Sequence, residues 1–174
     1  MAVSSRVEYR FSWWHQGVFL FDRLYVWAED WPEYEEATTE GAVFGQSRSR
    51  GVTFISPGGS TFGADGARLV VEVYDQDPEL PLAAGSDTVG EFDLDAISGD
   101  FALEESGGGT GDSPAVLGTP PGRFRARWSG FGEEAVEVLD REGGDEDAER
   151  PDSYLLQIWP RTTDTEIAVL RTRE

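Results

Sequence analysis

The nine residues Ala67-Arg68-Leu69-Val70-Val71-Glu72-Val73-Tyr74-Asp75 decide how the chain is to be read. Leu69, Val71 and Val73 fall on one side of an extended chain, with Arg68, Glu72 and Tyr74 on the other. That period of two marks a strand in the body of a sheet, because successive side chains of a strand point to opposite faces. The same rhythm recurs on both sides. Before it, Val7, Tyr9 and Phe11 alternate with Arg6, Glu8, Arg10 and Ser12, and Val18-Phe19-Leu20-Phe21 is apolar on both faces. Val52 and Phe54 begin another strand. After it, Phe92 and Leu94 alternate with Glu91, Asp93 and Asp95, and Phe101 and Leu103 suggest a short strand. Arg123, Arg125 and Arg127 alternate with Phe124, Ala126 and Trp128, Glu133 to Leu139 is strand-like but acidic, and Tyr154 to Trp159 is apolar on both faces.

The rest punctuates these strands. Gly17, Ser56-Pro57-Gly58-Gly59 and Pro120-Pro121-Gly122 are turn signals, and Pro78 and Pro81 hold residues 77–87 in a loop. Asp30-Trp31-Pro32 followed by acids predicts one short helix near residues 33–39, stopped by Gly41. Residues 106–113 (Gly-rich) and 140–151 (acidic, DREGGDEDAERP) read as flexible loops, and residues 161–174 as a last edge strand or a tail. The expectation is an all-β, single-domain antiparallel β-sandwich or jelly-roll of about eight to ten strands spanning residues 1–174. That length suffices for a core without staples.

Composition narrows the chemistry. The chain has 14 basic residues against 34 acidic ones, a net charge of −20, and no cysteine. All the basic residues are arginine. Nucleic-acid binding needs a cationic footprint, so this balance argues against it and for a basic protein partner. No apolar run approaches a membrane span and the start has no apolar leader core, which leads to a soluble, cytoplasmic protein without membrane insertion. His15 is the single histidine, there is no lysine, and no Gly-x-Ser-x-Gly elbow is present. A triad, a Schiff base, a phosphate loop and a zinc site therefore lack their components, and no catalytic residue is assigned.

Three constellations remain. Asp75 and Asp77 leave a strand, and Asp87 precedes Val89-Gly90, an order similar to the calcium loop of phospholipid-binding sandwich modules of the protein kinase C type. Clustered oxygen ligands are what a hard cation needs, so a Ca²⁺-dependent module using Asp75, Asp77 and Asp87 is the alternative reading; no other cofactor is expected. The stripe Arg123, Arg125 and Arg127 either ligates an anion or pairs with neighbouring acids, with Glu133, Glu134 and Glu137 as the candidates. Finally, Trp31, Glu33, Tyr34, Glu35, Glu36 and Glu40 mix aromatic anchors with carboxylates, a combination suited to binding a basic protein.

The order of motifs resembles the competence protein J family, small bacterial inhibitors of a DNA-entry nuclease. The similar elements are the first strand Val7 to Ser12, Asp30-Trp31 with its acidic segment, Gly51-Val52-Thr53-Phe54 and Val89 to Leu94. Thr119-Pro120-Pro121-Gly122-Arg123-Phe124-Arg125-Ala126 is similar to the family's Leu-Pro-Lys-Gly-Asp-Tyr, and Ser153 to Trp159 to its closing Thr-Tyr-Ile-Ile strand. The resemblance spans most of residues 6–160 as spaced short motifs. It implies a sandwich fold and a non-enzymatic role as inhibitor or immunity-type partner of a basic nuclease or toxin. It transfers no inhibitory residue.

Overall fold

A computed structural model describes residues 3–11, 18–22, 34–38, 42–47, 52–57, 67–79, 81–105, 115–143, 151–164 and 168–171. Among them lie twelve strands in two six-stranded sheets, and one helix. The first sheet, in the order β1 (Val3–Phe11), β6 (Ala67–Tyr74), β11 (Ser153–Pro160), β10 (Gly122–Phe131), β7 (Thr88–Ala96) and β12 (Ala168–Arg171), is built around the stretch quoted first. The second follows the order β3 (Tyr34–Thr38), β4 (Ala42–Ser47), β5 (Val52–Pro57), β2 (Val18–Asp22), β8 (Asp100–Glu105) and β9 (Ala115–Gly118).

The all-β expectation holds, and the alternation places the core where it should. Leu69, Val71 and Val73 of β6, Phe92 and Leu94 of β7, Phe124, Ala126 and Trp128 of β10, and Leu156 and Ile158 of β11 are buried together. Val18 and Leu20 of β2, Ile55 of β5, and Phe101 and Leu103 of β8 meet them from the other sheet. The rings of Phe101 and Phe124 make an edge-on contact across the layers, 5.8 Å between centroids.

Four expectations need correcting. The first sheet is mixed, not purely antiparallel: β11 runs antiparallel to β10 but parallel to β6, with Leu156 opposite Val71. Since β7 is also antiparallel to β10, β6 and β7 point the same way. The connection from Asp75 to Asp87 must therefore carry the chain back along the whole sheet, which accounts for its length.

The helix expected near residues 33–39 is a strand, β3, paired antiparallel with β4 from Tyr34 opposite Ser47 to Thr38 opposite Val43. Cross-strand pairing overrides the weak local preference of a short segment. The one helix, α1 (Glu133–Glu142), lies where a strand was expected. Gly132, at φ +72°, ends β10 in a conformation that side chains avoid, and Gly143, at φ +68°, closes the helix as a C-terminal cap. Glu133 and Glu134 in the first turn and Arg141 in the last match the helix dipole. Asp140 to Glu142 thus belong to α1 and not to a loop.

Candidate functional site

The sheet register sets out the charge chemistry on the outer face of the first sheet. Pairing of β10 with β7 puts Arg127 opposite Glu91, Arg125 opposite Asp93 and Arg123 opposite Asp95. Arg127 contacts Glu91 at 2.6 Å and Arg125 contacts Asp93 at 3.2 Å. Arg125 Nη2 also donates to the Thr163 carbonyl at 3.2 Å, and the Arg127 guanidinium lies 5.4 Å from the centre of the Trp159 ring. Arg123 reaches Asp164 at 3.5 Å. The arginine stripe is therefore paired with β7 and Asp164, where the expected partners were Glu133, Glu134 and Glu137.

Arg161 completes this lattice. It follows Pro160 at the end of β11, and its backbone N–H donates to the Arg123 carbonyl at 3.0 Å. Its side chain is 3% exposed, bonding Asp93 and Asp164 through Nη1 and Asp95 through Nη2, the last two at 2.7 Å. Asp93 itself is fully buried. Two guanidinium groups thus converge on one desolvated carboxylate. The alternating acids Asp93 and Asp95 and the alternating Arg123 and Arg125 were each visible in the sequence, but not that the two runs would face each other, and Arg161 gave no signal: it sits after a proline, outside any alternating run.

A second polar network lies beside it. Tyr74 donates to Glu72 at 2.6 Å, Gln157 donates to the Tyr74 oxygen at 3.1 Å, and Arg6 approaches Glu72 at 3.4 Å. Burial, reinforced by the bond to Glu72, pushes the Tyr74 phenol above its ordinary value.

At the far end of the sheet, Glu133 is fully buried and accepts the Thr88 hydroxyl at 2.7 Å, while its backbone N–H donates to Asp87 Oδ2 at 2.9 Å. Asp87 thus satisfies one of the open donors at the start of α1. Asp152, also buried, accepts the Tyr154 hydroxyl at 2.8 Å, and the Tyr154 ring stacks on Trp128. Burial of Glu133 and Asp152 carried no sequence signal: Glu133 read as an acid on a strand that could pair with the arginine stripe, and Asp152 follows the acidic segment 140–151.

The three acids of the calcium reading are not brought together. Asp75 leaves β6 at one end of the sheet, and Asp87 enters β7 at the other, because the two strands run the same way. The six residues between the rows of Leu69 and Asp75 span roughly 20 Å at about 3.3 Å per residue. Asp77 accepts the backbone N–H of Glu79 at 2.8 Å and stays with Asp75. Among the described residues no group of three or more His, Asp or Glu side chains is placed to hold a metal ion.

Of the candidate partner-binding residues, Tyr34, Glu35 and Glu36 stand on β3, the outermost strand of the second sheet. Trp31, Glu33 and Glu40 lie outside the described residues, as do His15 and the acidic and Gly-rich segments 144–150 and 106–114. A cleft of about 600 Å³ opens where β6 and β11 end and β10 begins, lined in part by Ser5, Tyr74, Asp75, Arg123 and Pro160. No described helix is long and apolar enough to cross a membrane.

No protein-family model and no curated protein sequence matches the chain. Two solved structures share its fold. One, described as crocagin biosynthetic gene J, superposes with a TM-score of 0.52 at 14% identity, covering 93% of this chain and all of its own. The other is ComJ from Bacillus subtilis, an inhibitor of the DNA-degrading activity of NucA. It has a TM-score of 0.52 at 9% identity, covering 92% of this chain and 98% of its own. At such identities the likeness is one of fold.

Proposed function

We propose that this chain is a non-enzymatic, single-domain binding protein that captures a basic protein, a nuclease or toxin, through carboxylates on and beside β3. The observation that carries the reading is the shared fold with ComJ, a nuclease inhibitor, over nearly the whole of both chains. Charge supports it. Arg6, Arg68, Arg123, Arg125, Arg127 and Arg161 are each occupied by carboxylates of the same chain, so the net charge of −20 stays available as acidic surface. Carboxylates can occupy the phosphate-binding positions of a nuclease, and long-range attraction speeds encounter. Glu35 and Glu36 stand side by side on β3, an end strand of the second sheet among the described residues.

Glu33, Glu35, Glu36 and Glu40 carry the charge in this reading, and Trp31 and Tyr34 are the anchors. The test is capture of a basic nuclease at low salt by the wild type and by a Glu33→Gln, Glu35→Gln, Glu36→Gln variant, with DNA degradation as the second readout. Loss of capture and of inhibition in the variant is expected. Equal capture by both would remove the surface from consideration.

A further inference from the structure

We propose that the cleft at the end of the first sheet binds a small organic amine with an apolar body, its ammonium group held by Asp75. The cleft has a volume of about 600 Å³, within the roughly 300–1,000 Å³ of small-molecule sites. Both layers contribute to it. From the first sheet come the start of β1 and the ends of β6 and β11: Val3 stands opposite Tyr74, and Pro160, the last residue of β11, stands opposite Phe124 of β10. Thr119, Pro120 and Pro121 then carry the chain from β9 in the second sheet to β10 in the first. That crossing is held before any ligand arrives. Thr119 donates to the Gly99 carbonyl through its backbone N–H at 2.6 Å and through its hydroxyl at 3.2 Å, and the two prolines have fixed φ angles.

The lining specifies the ligand. Val73 and Phe124, both buried, contribute apolar surface, and Tyr74, Pro120, Pro121 and Pro160 add rings. Polar groups of the lining are already engaged within the chain. The Ser4 hydroxyl donates to the Val73 carbonyl at 2.8 Å, the Tyr74 hydroxyl donates to Glu72, and the Arg123 guanidinium has Asp164 at 3.5 Å. Asp75 is different. It is exposed, and it is the one charged side chain among the described lining residues that has no hydrogen bond or ion pair.

Since Asp164 offsets Arg123, the charge left for a ligand to meet is that of one carboxylate. A carboxylate beside apolar walls suits a cation whose remaining surface is apolar: the walls take the body out of water while the ammonium group pairs with the acid. The net charge of −20 adds attraction for a cation and repulsion for an anion of the same shape. A metal ion does not fit this lining, because one carboxylate supplies too few oxygens for a hard cation.

Titration calorimetry with phenylbutylamine, phenylbutanol and phenylbutyrate, each up to roughly 10 mM, tests this. The three share one apolar body and differ in charge. The amine should bind about three- to fivefold tighter than the alcohol, the measure of an exposed charge pair, and the acid should bind weakest. Asp75→Asn should erase the advantage of the amine and leave the alcohol unchanged. Gly122→Leu should weaken amine and alcohol alike, since Gly122 lines the cleft and a Cβ there meets only the Phe124 ring, at an ordinary contact distance of 3.6 Å. Circular dichroism confirms that each variant is folded. Absence of amine binding to the wild type overturns the proposal. So does an amine advantage kept in Asp75→Asn, which would assign it to the acidic surface at large, or undiminished binding in Gly122→Leu, which would place the ligand elsewhere. None of these outcomes bears on capture of a basic protein by β3.

Discussion

Replacing Arg161 with alanine should destabilise the protein more than removal of any other arginine described. The guanidinium is 3% exposed and bonds Asp93, which is fully buried, together with Asp95 and Asp164. Taking it away leaves Asp93 with Arg125 at 3.2 Å and Asp95 without this partner. Breaking a buried pair from one side costs about 3–5 kcal/mol, because the remaining charge stays desolvated. Arg125 offsets part of that, so the expected loss is at the lower end, about 3 kcal/mol. For a chain of this size each kcal/mol moves Tm by about 2–4 °C, giving a fall of roughly 6–12 °C.

The assay is urea unfolding followed by tryptophan fluorescence, with the m-value showing whether the change is one of stability. Asp164→Asn is the control. Its carboxylate is 57% exposed, and surface pairs contribute about 0–1 kcal/mol, so it should change little. A double variant, Arg161→Ala with Asp93→Asn, should recover part of the loss by removing a buried charge that has lost one guanidinium partner. If Arg161→Ala cost under about 1 kcal/mol, the network would be behaving as a solvated surface and the argument from burial would fail.

Two further outcomes follow from the same geometry. Gly99→Ala should cost about 2 kcal/mol or more, since the residue has φ +83° and a Cβ there would lie 2.0 Å from the Thr119 carbonyl oxygen; thermal unfolding measures it. Tyr74 should ionise later than an ordinary tyrosine because the fold favours its neutral form. Its stabilising contribution is then complete below the unfolded value near 10 and is lost as pH rises through the folded value. Tyrosinate absorbance in an alkaline titration, compared with Tyr74→Phe, isolates it, and loss of a component titrating no later than free tyrosine would refute the assignment.

The sequence by itself determined the strands whose two faces differ. Alternation at β1, β6, β7 and β10 states which side chains leave water, and burial of Leu69, Phe92 and Trp128 follows from that preference alone. It also determined the chemistry that is missing, because a residue type that is absent serves no site. Short or acidic segments were legible only in part. β3 and α1 exchanged their expected forms, since a strand of five residues takes its conformation from β4 and a helix of ten from Gly132, Gly143 and the Asp87 cap.

Tertiary structure alone decided which charges meet. Sequence spacing placed Asp75, Asp77 and Asp87 on one loop, but the parallel course of β6 and β7 sends Asp75 and Asp87 to opposite ends of the sheet. It paired the arginine stripe with β7 in place of α1, and it drew Arg161 into contact with Asp93, 68 residues away. Strand order and direction are global properties, and no local pattern encodes them: the period of two tells which face a residue occupies, not which strand will lie beside it.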